Sequence, residues 1–165
     1  MVFILSPWAS LDLREFIENK RKLESWNSAL ENKTVAELLV GWMACLASGL
    51  AMLHATNIKY RGLNPINVLL HITGSNILPI ICDYRLSKHF DAMSRAVIQS
   101  GTMFYKSPEE LRGSAVGRAD DVFALGTIFV ELGLIIDGVP KQRLNRIVGE
   151  DGYAECWPRA HSTKS

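Results

Sequence analysis

Cysteine is scarce in this chain, and the three present, Cys45, Cys82 and Cys156, are odd in number and widely scattered. Such spacing builds neither a disulfide framework nor a zinc site, so a reducing compartment, cytoplasmic or nuclear, is expected. Charge of one sign is equally lacking: 18 basic residues meet 17 acidic ones for a net charge of +1, and no block of like charge occurs. That removes the electrostatic ground for a nucleic-acid or membrane-surface partner, and neither is expected. Long hydrophobic runs are missing as well. The longest uncharged stretch, Leu38 to Leu53, contains Gly41, Ser48 and Gly49 and falls short of the roughly 18 apolar residues of a membrane span. A buried helix is expected there instead. Val2 to Leu5 is too short for the apolar part of a signal peptide and no positive residue precedes it, so secretion is not expected. No Gly-x-Gly occurs anywhere in the sequence.

What is present is core-forming material. With 48% apolar and 21% charged residues over 165 positions, the chain suffices for one globular domain. The opening reads as a strand, Val2 to Leu5, then a Ser6-Pro7-Trp8 connection. A helix follows, with Leu11, Leu13, Phe16 and Ile17 as its apolar face and Ser10 or Asp12 as its cap. Beyond the polar stretch Glu24 to Lys33, Thr34 and Glu37 have the spacing of a capping box. Leu38, Leu39, Trp42, Met43, Leu46, Leu50 and Leu53 then recur with helical period. Val68 to His71 and Ile77 to Cys82 flank Thr73-Gly74-Ser75-Asn76 and read as a hairpin. Asp121 to Ile136 is long and apolar enough for a second buried helix, and Lys141 to Val148 reads as a further short one.

Three islands carry chemistry-bearing residue types in close order. They are Tyr60-Arg61-Gly62-Leu63-Asn64-Pro65-Ile66-Asn67, then Asp83-Tyr84-Arg85, then Gly101-Thr102 through Tyr105 to Ser107-Pro108-Glu109. Together they resemble the signature set of the protein kinases. The first resembles the catalytic loop His-Arg-Asp-Leu-Lys-Pro-x-Asn, the second Asp-Phe-Gly, and the third the segment ending in Ala-Pro-Glu. A fourth island, Asp121-Val122-Phe123-Ala124-Leu125-Gly126, resembles the start of the large lobe's central helix, and Leu53-His54 the end of the long helix before it. The resemblance covers nearly all of residues 2 to 135. It leans to the serine/threonine branch through the Gly-Thr-x-x-Tyr pattern and Asn64-Pro65.

That resemblance implies a mainly α fold: the C-terminal lobe of a kinase, with a small β-hairpin around the catalytic loop and without most of the N-terminal lobe. Residues 1–9 would be the last small-lobe strand and hinge, 10–136 the lobe core, and 137–165 a partial C-terminal extension. Phosphoryl transfer is mostly positioning and charge stabilisation, and it needs a phosphate-covering glycine loop, a lysine with its glutamate, two metal ligands and a base. In the resemblance the base position holds Gly62, which has no side chain; loss of a general base typically costs about 10² to 10⁴ in rate. The loop lysine is replaced by neutral Asn64. Asn67 and Asp83 match the two Mg²⁺ ligands, Leu69 matches the residue under the adenine ring, and Arg85 stands where the family has glycine.

Each of these has a plainer reading. Asn67 and Asp83 either hold Mg²⁺ or cap turns through local backbone bonds. Arg61 either binds a phosphate placed on Ser94, Ser100 or Thr102 or is simply solvated. Asp121 is expected to accept backbone N–H bonds from the Tyr60-Arg61 turn, and Glu109 to be solvated or differently paired from the family's arginine partner. His54, His71, His89 and His161 show no metal-ligand spacing. The leading expectation is a catalytically inactive pseudokinase acting as a protein-interaction or regulatory module, with a protein partner and with ATP and Mg²⁺ bound weakly or not at all. The alternatives are a weak or split serine/threonine kinase transferring the ATP γ-phosphate to protein hydroxyls, and a truncated kinase fragment without function.

Overall fold

The structure, a computed structural model, describes residues 9, 11–19, 33–73, 76–82, 104–113 and 117–139. The strand expected at 2–5, the connection at 6–8 and the helix expected at 141–148 lie outside the described residues, as do Asp83 to Arg85. Within them the order is β1 (Leu11–Asp12), α1 (Leu13–Glu18), α2 (Val35–Ala55), a 3-10 turn (Pro65–Asn67), β2 (Val68–Thr73), β3 (Asn76–Ile81), α3 (Pro108–Leu111) and α4 (Arg118–Ile136). Helices thus combine with a small antiparallel sheet of order β1-β2-β3.

The hairpin expected from the sequence is present, with Val68 opposite Ile81 and Thr73 opposite Asn76. A third strand joins it, because Leu11 is not helical as expected but pairs with Leu70. The spacing explains the correction. Leu11 and Leu13 are two apart, which is strand period, whereas Leu13, Phe16 and Ile17 follow helical period. Asp12 fixes the boundary: its carboxylate accepts the Glu15 N–H at 2.8 Å and caps α1.

Helix α2 begins as its capping box requires. Thr34 N–H donates to Glu37 Oε2 at 2.8 Å and Glu37 N–H to Thr34 Oγ1 at 3.2 Å. The backbone bond from Thr34 holds the Glu37 carboxyl below the usual glutamate range. One face of α2, carrying Leu38, Leu39, Trp42, Leu46 and Leu50, is buried against the sheet and α4. Each such side chain contributes about 1.5–3 kcal/mol on full burial. The helix is not buried all round, however. Val40 is 56% and Met52 71% exposed, so the uncharged stretch is amphipathic by packing and not by charge. By length and composition alone α2 is apolar enough to cross a membrane, but this inner face is part of the core.

Helix α4 starts three residues earlier than expected, since Gly117 is its N-cap and donates its N–H to Asp120 Oδ2. Ala124, Leu125, Ile128 and Leu132 face the core, while Val122 and Val130 are exposed.

Strand β3 is the outer strand of the sheet, and α2 covers its free edge. Trp42 Nε1 donates to the Ile77 carbonyl at 2.8 Å and Cys45 Sγ to the Pro79 carbonyl at 3.7 Å. Because N–H and C=O of one strand residue point the same way, the N–H that Pro79 lacks would also lie on this outer side. The proline therefore removes no ladder bond. Trp42 also meets Phe16 edge-on, with ring centroids 5.0 Å apart. Replacing Trp42 by Phe keeps an aromatic ring but strands the buried Ile77 carbonyl. It is expected to cost about 1–3 kcal/mol, read as a lower urea midpoint with an unchanged slope. Trp42→Ala is expected to cost about 3–5 kcal/mol.

Candidate functional site

The segment from Tyr60 to Asn67 is shaped by one buried carboxylate. Asp121, with its side chain 1% exposed, accepts the Tyr60 N–H at 2.8 Å on Oδ2 and the Arg61 N–H at 2.6 Å on Oδ1. His54 Nε2, at the end of α2, lies 2.9 Å from the same Oδ2. The expected Asp121 contact is therefore found, and His54 joins it, which nothing in the histidine spacing signalled. Arg61 needs the support. Its φ of 62° is left-handed, a conformation costing a non-glycine residue roughly 1–2 kcal/mol.

Downstream, the loop is bonded to itself and to the end of β3. Asn64 Oδ1 accepts the Ile66 N–H at 2.9 Å and caps the 3-10 turn. Asn64 Nδ2 and Asn67 Nδ2 each donate to the Gly62 carbonyl at 2.9 Å. The Asn67 carbonyl accepts Cys82 N–H at 2.9 Å and Cys82 Sγ at 3.3 Å, and Tyr60 Oη donates to the Cys82 carbonyl. Cys82, expected only as the end of the second hairpin strand, thus fixes the chain immediately before Asp83.

Tyr60, Arg61, Gly62, Asn64 and Asn67 lie on one loop, held by Asp121 at its start and by the Gly62 carbonyl within it. Leu69 is half-buried and alternates with buried Val68 and Leu70, so it lies on the opposite face of the sheet. Asp83 lies outside the described residues, so the second expected metal ligand has no geometry here. Among the described residues, no group of three or more His, Cys, Asp or Glu is placed to hold a metal ion. Among the described residues, a Cβ placed at Gly62 meets no atom within 4 Å beyond its chain neighbours.

A second buried polar cluster lies under the segment ending in Ser107-Pro108-Glu109. Ser107 caps α3, accepting the Glu110 N–H at 3.0 Å, and its hydroxyl donates to Asp120 Oδ1. Burial pushes the Asp120 carboxyl up, but the Gly117 N–H and the Ser107 hydroxyl together outweigh it and hold the group below the usual aspartate range. Tyr105 Oη donates to Glu131 Oε2 at 2.7 Å, with the two residues 6% and 3% exposed. Burial first, and then the adjacent Glu131 carboxylate, push the Tyr105 phenol well above its usual range. Glu131 was missed at the sequence level. Its signal was an acidic residue inside the apolar run of α4, which demands a buried partner. Glu109 is exposed, as expected.

The model of the protein kinase domain family matches residues 9–146. Among curated proteins, the chain is 38% identical over 87 residues to the probable serine/threonine-protein kinase PkwA of Thermomonospora curvata, covering 52% of this chain and 11% of that protein. It is 30% identical over 125 residues to the serine/threonine-protein kinase/endoribonuclease IRE1b of Arabidopsis thaliana, covering 72% and 14%. A G-type lectin S-receptor-like serine/threonine-protein kinase of the same plant is 31% identical over 140 residues, covering 80% and 15%. The chain therefore spans between 11% and 15% of the length of these three relatives.

Asp121→Ala leaves the Tyr60 and Arg61 N–H groups without their acceptor and strips His54 of its partner. A loss of roughly 3 kcal/mol or more is expected in chemical denaturation, against about 0.5 kcal/mol or less for exposed Glu109→Ala. Asp120, whose pKa is depressed on folding, contributes stability above its unfolded value and loses it as the pH falls through the folded one. The acid limb of the stability curve is therefore expected to flatten in Asp120→Asn, measured as urea midpoints across the acidic range.

Proposed function

The chain belongs to the protein kinase domain family, and from that premise we propose that it acts as a non-catalytic, protein-binding or regulatory member of it. The observation that carries this reading is Gly62, which stands where the family's loop places its catalytic aspartate. A glycine offers nothing to orient or deprotonate a substrate hydroxyl, and a general base contributes about 10²- to 10⁴-fold. Asn64 adds to the deficit. Where the serine/threonine pattern has a lysine to meet negative charge on the transferred phosphate, this neutral amide is turned into its own loop. In this reading the chain works by contact with another polypeptide, in the cytoplasm or nucleus, and ATP and Mg²⁺ bind weakly or not at all.

One observation favours a second reading, a weak serine/threonine kinase transferring the ATP γ-phosphate to protein hydroxyls. Asn67 is retained, and its side chain bonds the loop through Nδ2, which donates to the Gly62 carbonyl. In the family resemblance its amide oxygen, with the Asp83 carboxylate, would hold Mg²⁺. The names of the relatives, serine/threonine-protein kinases, point the same way.

The two readings separate in one pair of measurements on the full chain. Incubation with radiolabelled ATP and Mg²⁺ is expected to label neither the chain nor an added acceptor protein, and millimolar ATP with Mg²⁺ is expected to leave the melting temperature unmoved. Phosphate incorporation abolished by Asn67→Ala, together with a Mg²⁺-dependent melting shift abolished by Asp83→Ala, would overturn the proposal in favour of the kinase.

A further inference from the structure

Two of the loop's departures from the kinase pattern, Gly62 and Asn64, sit two residues apart, and the structure connects them. Gly62 is not required by backbone conformation. It is absent from the positions of positive φ, where the neighbouring Arg61 is found instead, and among the described residues a Cβ at 62 meets nothing within 4 Å beyond its chain neighbours. A glycine that needs neither left-handed backbone nor close approach brings only flexibility, directly beside a strained arginine. The side chain of Asn64 answers that flexibility at two points. Its Nδ2 donates to the Gly62 carbonyl and its Oδ1 accepts the Ile66 N–H, each at 2.9 Å. With Asn67 Nδ2 on the same carbonyl, both lone pairs of the Gly62 oxygen are used. A lysine at 64 has no acceptor to offer the Ile66 N–H.

We propose that Asn64 is a conformational latch: by bonding Gly62 behind it and Ile66 ahead of it, the asparagine holds the loop in its folded shape through its own side chain. The substitution at this position is then more than the loss of a cation. It exchanges a group that reaches outward for one that reaches inward, and the exchange stabilises the segment that Gly62 loosens. The latch rests on the loop's own bonds and holds whether or not the chain transfers phosphate.

Trypsin reads the latch directly, because the Arg61–Gly62 bond is cut only when the loop opens, and in the regime of fast reclosing the rate follows the open population. The cut after Lys106, in the segment leading to α3, reports opening elsewhere. Both rates are measured on native protein and divided by those of the same bonds in the unfolded variant. Asn64→Asp keeps an acceptor for Ile66 N–H and removes the donor to Gly62; it is expected to speed cleavage at Arg61–Gly62 by about three- to tenfold, the worth of one exposed hydrogen bond. The rate after Lys106 is expected to stay as in the wild type. Asn64→Ala, which loses both bonds, is expected to be faster still at Arg61. A rate at Arg61–Gly62 in Asn64→Asp within twofold of wild type, or an equal acceleration at both bonds, would overturn the latch.

Discussion

A single carboxylate, Asp121, ties together segments that lie far apart in the chain. It meets the end of α2 through His54 and the start of the loop through two consecutive backbone N–H groups, 60 and 61 residues away. Buried backbone donors left unpaired are costly, and buried charges without partners more so. At Asp121 each need answers the other: the carboxylate is held by donors, and the donors are turned inward by the carboxylate. The left-handed Arg61 is fixed at this junction, and from it the chain runs into Gly62, Asn64 and Asn67. The loop's shape is therefore set from beneath, by the core, before any ligand bears on it.

This separates the architecture of the site from its chemistry. Hydrogen bonds that define the loop involve Asp121, Tyr60, Asn64, Asn67 and Cys82, and Gly62 enters them through its carbonyl alone. The side chain at 62 has no part in those bonds, because the Gly62 contribution to them is its carbonyl, which any residue has. The fold alone therefore does not decide what the site does.

Much of this was legible in the sequence, for identifiable reasons. The capping box of Thr34 and Glu37 and the seven periodic apolar residues after it mark α2 because both signals are local. The hairpin was legible for the same reason, through alternation and a polar turn. Asp121 could be assigned through the resemblance, which supplies a long-range partner that spacing does not. What escaped notice was long-range and without a motif. Leu11 joined a strand because of Leu70, some sixty residues on. His54 found a carboxylate that histidine spacing does not predict, and the exposed side of α2, with Glu37 as its one charged residue, carries little charge to mark it as outward. Glu131 was visible as an anomaly in an apolar helix, but its partner Tyr105 was not.

The covered edge of β3 has a consequence for how the chain comes into being. Strand edges invite pairing with other chains, most of all while a protein is still incomplete. Here the donors that occupy the outer carbonyls of β3, Trp42 and Cys45, belong to α2, which leaves the ribosome before the strand it protects. When Ile77 and Pro79 emerge, the helix that seals them has already been synthesised, so the order of translation itself shortens the time in which the hairpin is open to a neighbouring nascent chain.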